Sequence, residues 1–207
     1  QSTFRCKLEG TNSGVVFPLG FCNGSAADGS RPSFTGLADD TYTLTAIAVD
    51  PATNQDPSPL VVNFEVDATE PSTTLDPQVD YGDGPTTSTR TQSRKVDLTF
   101  SGADARQMQG FQCRIDSTDD SAWQLCSSPQ RFSGLADGEH KVEIRAKDQA
   151  GNVDSTPSVW DWVIDRDPPT TTFTVQPDTV SNDANPTFEF TTNEAVSGSV
   201  CSLDGAP

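Results

Sequence analysis

The chain has 207 residues, with 30 Asp and Glu against 13 Lys and Arg, a formal charge of −17 and a pI near 4.1. That charge argues against nucleic acid and anionic membrane as partners, because both need a basic patch. Nothing approaches the run of about 20 apolar residues that a membrane helix requires. No basic-then-apolar signal segment opens the chain, so any such segment is expected to have been removed or to lie outside this sequence.

The first element is the strand "FRCKLEG", which carries Cys6. An aromatic-containing stretch leads to Cys22, and Asn23-Gly24-Ser25 then forms an N-glycosylation sequon in a loop of small polar residues. Residues 36–56 read "GLADDTYTLTAIAVDPATNQD". Tyr42, Leu44, Ala46 and Ala48 alternate with Thr43, Thr45, Ile47 and Val49, the period-two pattern of a strand with one dry face. Asp50, Asn54 and Asp56 mark a turn, since Asp and Asn bond their own main chain. A second strand leaves it with Val62, Phe64 and Val66 on one side. A short acidic linker, "FEVDATEP", ends this first unit.

The next unit opens on "TEPSTTLD", extended by Pro71, and passes through "DYGDGPTTSTRTQS", which reads as loop or weak edge strand. "KVDLTF" points Val96, Leu98 and Phe100 inward; "FQCRID" does the same with Phe111, Cys113 and Ile115. "AWQLC" brings Trp123, Leu125 and Cys126, and "QRFSGL" leads to residues 134–154, "GLADGEHKVEIRAKDQAGNVD". This last stretch repeats 36–56 without a gap at an offset of 98 residues, and the match continues to Pro157, Asp165 and Pro169. Such a match is an internal repeat. His140, Val142, Ile144 and Ala146 form its inward set, and Trp160, Trp162 and Ile164 the inward set of the returning strand. About seven short strands without helical spacing predict an all-β fold of tandem immunoglobulin-like antiparallel β-sandwich repeats.

The expected units are a partial repeat at 1–67, a complete one at 68–165 and a partial one at 166–207, so that the chain reads as a fragment of a longer array. The five cysteines repeat with them: Cys6–Cys22 and Cys113–Cys126 are the natural pairs, against buried free thiols, and the partner of Cys201 is expected outside the fragment. Each bridge would staple neighbouring strands across a short loop, worth about 3 kcal/mol in the chain-entropy picture. No Cys-x-x-Cys or adjacent His suggests zinc. Paired cysteines imply an extracellular or cell-surface location.

The pattern "F-x-C-x-[ILE]-[DE]", a second Cys, then "GLADG-H-V-RA-DQAGN-D-P-W-W-ID-PP", resembles the Ig-like repeats strung along very large extracellular proteins. Those include bacterial adhesin-like arrays and the mastigoneme-type glycoproteins that form filaments on algal flagella. The first copy departs from it, with Thr53 at the turn glycine and a longer loop between Cys6 and Cys22. The resemblance implies repeats joined end to end to make length. It does not fix a function.

No enzyme is expected. The single histidine, His140, aligns with Tyr42 at the start of a strand and reads as a packed ring, with no nucleophile and base set around it. Trp160 and Trp162 read as core, while Trp123 leaves a sugar-stacking platform open. Asp50, Asn54, Asp56, Asp67, Asp148, Asn152, Asp154, Asp165 and Asp167 are candidate calcium ligands at turns and linkers, against simple turn capping. No other cofactor is expected. The leading expectation is a structural building block of an extracellular filament, stalk or surface appendage. Its partners would be neighbouring repeats and other copies of the same protein or other filament components. An adhesion or carbohydrate/protein-binding module using loops Asn12–Ser30 and Gly82–Ser93 is the alternative, and an accessory segment of a secreted enzyme the third.

Overall fold

The computed structural model describes residues 3–22 and 33–203. The first unit is one four-stranded antiparallel sheet: β1 (Thr3–Gly10), β2 (Gly14–Phe21), β3 (Asp40–Val49) and β4 (Leu60–Val66), in the order β2-β1-β3-β4. Cys6 on β1 is bonded to Cys22 just past β2, with S–S 2.03 Å. Asn23 lies outside the described residues.

The middle unit is a two-layer sandwich. It comprises β5 (Ser72–Leu75), β6 (Val79–Asp80), β7 (Pro85–Thr86), β8 (Arg90–Thr91), β9 (Lys95–Leu98), β10 (Phe100–Ala103), β11 (Met108–Ile115), β12 (Gln124–Cys126), β13 (Gln130–Ser133), β14 (Gly138–Asp148) and β15 (Ser158–Ile164). One sheet runs β12-β11-β14-β15-β8, the other β13-β9-β6-β7, and β5 pairs with β10 beside them. Val142, Ile144, Trp162 and Ile164 from the first sheet meet Val79, Tyr81, Val96, Leu98 and Phe100 from the other strands in one buried core. Alternation produces this directly, since one side of each strand is apolar and the other polar. The Cys113–Cys126 disulfide joins neighbouring strands of one sheet, with Phe111 opposite Cys126.

One feature of this unit differs from the sequence expectation, the break in "KVDLTF", while the Gly- and Thr-rich stretch holds short strands, β7 and β8 at sheet edges, in line with its reading as loop or weak edge strand. The Gly- and Thr-rich stretch contains β6, β7 and β8, each two residues long, and β8 pairs parallel to the end of β15. "KVDLTF" is broken at Thr99: β9 pairs with β13, whereas β10 turns away to pair with β5. Asp76 N–H donates to Thr99 O, which accounts for the polar group exposed by the break.

The third unit contributes β16 (Thr171–Val175) and β17 (Glu189–Thr192), an antiparallel pair. Among the described residues the fold is all-β, of the tandem immunoglobulin-like sandwich type, with one 3₁₀ turn at Asp120–Ala122. No helix among the described residues is long and apolar enough to cross a membrane.

Candidate functional site: the joint between repeats

The joint between the first two units is built from the turn that follows β14. Asp148 is fully buried there, and its Oδ1 accepts N–H bonds from Gly151 (2.7 Å) and Asn152 (2.8 Å). Its Oδ2 accepts from Asn152 Nδ2 at 2.7 Å. Asp50 holds Asn54 in the same way in the first unit, at 2.8 and 2.9 Å. The turn needs a left-handed residue one place before the asparagine. Gly151 supplies it at φ 103°, while Thr53 adopts φ 71° in the first copy, a conformation that is strained for a β-branched side chain.

With its amide group thus aimed, Asn152 also reaches the preceding linker. Its Nδ2 lies 3.1 Å from Asp67 O and 3.3 Å from Thr69 O. Ser155 N–H donates to Glu70 Oε2 at 3.1 Å. The first unit grips the linker from the other side, where Ala68 N–H donates to Asp39 Oδ1 at 2.9 Å and the Thr69 hydroxyl donates to Asp39 Oδ2. Those two bonds, with the more distant Arg106 charge, hold the Asp39 carboxyl below the usual carboxylate range. Arg106 from the middle unit hydrogen-bonds Glu65 of the first, and this bond, with the fields of Glu65, Asp67 and Asp39, raises the guanidinium pKa.

Three carboxylates converge at this joint: oxygens of Asp67, Asp104 and Asp148 lie within 4.8 Å of one another. Asp104 Oδ1 is buried without a hydrogen-bond partner. Of the sequence candidates, Asp67 and Asp148 are therefore brought together, and Asp104, which sequence reasoning missed, joins them. Asp50, Asp56, Asp154, Asp165 and Asp167 belong to no such group among the described residues. Asp56 and Asp154 cap their own turns through Ser58 and Thr156. Asp165 lies 3.7 Å from Arg90 in the second linker. There Asp137, the counterpart of Asp39, binds Arg166 through both oxygens at 2.7 and 3.0 Å.

The remaining candidates are held by other contacts. The guanidinium groups of Arg114 and Arg145 lie 4.6 and 4.1 Å from the ring centre of Trp123, which is half-buried. Trp162 is buried, and Trp160 Nε1–H donates to Tyr81 OH at 3.2 Å. The Gly82–Ser93 loop is tied down by Tyr81 OH donating to Ser88 O and by β8 pairing with β15. The candidate loop Asn12–Ser30 is in part a strand, since residues 14–21 form β2, and its residues 23–30 lie outside the described residues; just before β2, Asn12 and Ser13 donate to the Asp40 carboxylate. Burial opposes ionisation of Asp40, and these bonds with that from Thr41 outweigh it, holding the carboxyl far below its usual range. A concavity of about 520 Å³ lined by Asp76, Asp80, Asp97 and Arg131 contains the Asp97–Arg131 pair, at 2.6 and 2.7 Å.

No family model matches the chain, and no curated protein matches it. Among solved structures it is similar to the fibronectin(III)-like modules of Clostridium thermocellum CbhA, at 17% identity over 77% of this chain and 77% of that one, with a TM-score of 0.40. It is also similar to a tetra-tandem repeat in the extending region of a large adhesion protein, at 18% identity and a TM-score of 0.32. That match covers 92% of this chain and 55% of the other, so the chain spans about half the length of that structure.

Proposed function

We propose that the chain is a structural building block of an extracellular filament, stalk or surface appendage, made of Ig-like units at 1–67, 68–165 and 166–207. The observation that carries this reading is the joint. A linker held by Asp39 on one side and by Asn152 and Ser155 on the other fixes the two units without a flexible spacer. Length then grows with repeat number, as in other linear arrays. The two disulfides support an oxidising compartment. The loop-borne adhesion reading has less support, because the loop segments described are tied down by their own hydrogen bonds.

The finer proposal is that Asp67, Asp104 and Asp148 hold a divalent cation such as calcium across the joint. Three carboxylates offer hard oxygen ligands of the kind calcium takes, and the unpartnered Asp104 oxygen lacks any other compensation. Small-angle scattering of the chain with calcium and with chelator tests both levels. An extended, joint-limited shape in either condition supports the building block. A maximum dimension that shrinks, and a melting temperature that falls, on chelation supports the cation. Units that tumble independently in both conditions would sink the stiff-joint reading.

A further inference from the structure

The outer face of the β12-β11-β14-β15 sheet carries positive charge that the molecule does not neutralise. Alternation turns Gln112 and Arg114 of β11, and Glu143, Arg145 and Lys147 of β14, away from the core. Trp123, just before β12, lies against the same face beside Arg114 and Arg145. Arg114 is neutralised: its Nε donates to Glu143, and its Nη1 donates to the carbonyls of Thr118 and Asp119 at 2.9 and 3.4 Å.

Arg145 is fixed but not neutralised. Its Nε donates to Gln112 Oε1 at 2.9 Å, and its guanidinium sits 4.1 Å from the indole centre. Among the described residues its two terminal nitrogens have no partner, and neither is a buried unpaired atom, so both reach solvent. Lys147, two residues on and about 7 Å along the strand, likewise has no carboxylate partner among the described residues. Opposite it stands Gly110, where an added Cβ would meet nothing within 4 Å, so the face is open there. Leu125, opposite Gln112, is 81% exposed and forms an apolar lip.

The fold does not demand these cations. At the offset of 98 residues, Ile47 and Val49 stand in the places of Arg145 and Lys147 on the matching strand of the first repeat. Two uncompensated cations side by side also stand out in a chain whose formal charge is −17.

We propose that Arg145, Lys147 and Trp123 form a binding site for a carboxylated polysaccharide, a polymer of uronic acid units. An immobilised guanidinium with both terminal nitrogens free receives a carboxylate in bidentate fashion, and little side-chain freedom is left to lose on binding. Lys147 takes a second carboxylate as a point charge. Gln112 Nε2, without a protein partner among the described residues, donates to a hydroxyl, and the C–H face of a sugar ring lies on Trp123 and Leu125. An acidic peptide would use the two cations and leave Gln112 and the apolar edge unfilled. The field of the acidic chain opposes any polyanion, but it is screened beyond about 8 Å at physiological salt, so the fixed donors decide. The site goes beyond the building-block reading, since it lies on a sheet face and gives the unit a polymer to hold.

Isothermal titration calorimetry of the full 207-residue chain with polygalacturonate tests it, at physiological salt and with chelator present so that no cation bridges polymer and protein. Binding is expected, and fully methyl-esterified polygalacturonate, which keeps the sugar and loses the charge, should not bind. Arg145→Gln should weaken binding about 10-fold, the worth of a charge-assisted hydrogen bond. Arg145→Lys should recover only part of that, because it restores the charge without the fork. Lys147→Gln removes no protein contact and should weaken binding about 5-fold, which reads the site even where an Arg145 variant unfolds. Lys95→Gln, the same change of charge on β9 of the other sheet, should bind like the parent. The proposal is overturned by a parent that does not bind, by equal binding of the esterified polymer, or by poly-glutamate bound as tightly as polygalacturonate. Parental binding by Arg145→Gln, Arg145→Lys or Lys147→Gln, or a loss at Lys95→Gln as large as theirs, would overturn it too. None of these outcomes touches the joint, so the building-block reading would stand.

Discussion

Tyr42 and His140 stand at the same position in two repeats and close the same turn by different means. The Tyr42 hydroxyl donates to Ala38 O at 2.9 Å; His140 Nε2 lies 2.9 Å from Ala136 O. The imidazole has a second partner, Asp116 Oδ2, 2.7 Å from Nδ1. With an acceptor at each nitrogen, the ring satisfies both only when doubly protonated. Burial pulls its pKa down, and the Ala136 carbonyl and Asp116 carboxylate outweigh that pull and raise it. A raised folded value means that His140 stabilises the middle unit fully below the unfolded pKa of about 6.5, and that this contribution fades as pH rises through the folded value. His140→Tyr should flatten that decline, leaving a melting temperature less dependent on pH across the same window. An unchanged pH profile would show that the ring's proton contributes nothing to stability. The inward placement of this residue was legible from its alignment with Tyr42. The Asp116 partner was not, because it comes from the end of another strand and only pairing of β11 with β14 brings it near.

At the scale of elements, strands with strict alternation were legible one by one, and those made by their neighbours only as loop or weak edge. Val142, Ile144 and Ala146 on β14 are buried as the period of two requires. The two-residue strands β6, β7 and β8 carry too few side chains to show any period, and their extended shape is imposed by partners already in place. The break at Thr99 is similarly invisible, since Val96, Leu98 and Phe100 all remain inward on both sides of it. The short cysteine loops are a separate prop. Cys113 and Cys126 are 13 residues apart, so replacing both by serine is expected to cost the middle unit about 3 kcal/mol by loop-closure entropy. Urea unfolding followed by tryptophan emission measures this in the middle unit alone, and a loss below about 1 kcal/mol would mean that strand pairing already restricts the open chain.

At the scale of the whole molecule, the joint depends on contacts that the sequence names only in part. Asn152 reads as a turn residue and is one, yet its amide also holds a linker 83 and 85 residues earlier. Asp104 has no repeat signature at all, and folding alone brings it to Asp67 and Asp148. Asn152→Ala should leave Asp67 and Thr69 carbonyls to solvent at a cost of about 1 kcal/mol and widen the range of angles between the first two units. Residual dipolar couplings on the full chain would show this as a loss of common alignment, whereas one shared alignment tensor would show that Asp39 and Arg106 suffice.

The attachment points of the middle unit lie at opposite ends of β14. The preceding linker is caught by Asn152, just beyond the strand's last residue, and the following one leaves from Ile164, which sits opposite its first residue, Gly138. Tension applied across the unit therefore runs along the strands and loads the β14–β15 ladder in shear, so that many rungs must yield together instead of opening one after another. Placed in series, such units would resist stretching up to a threshold force and then give way singly, a fuse in each link.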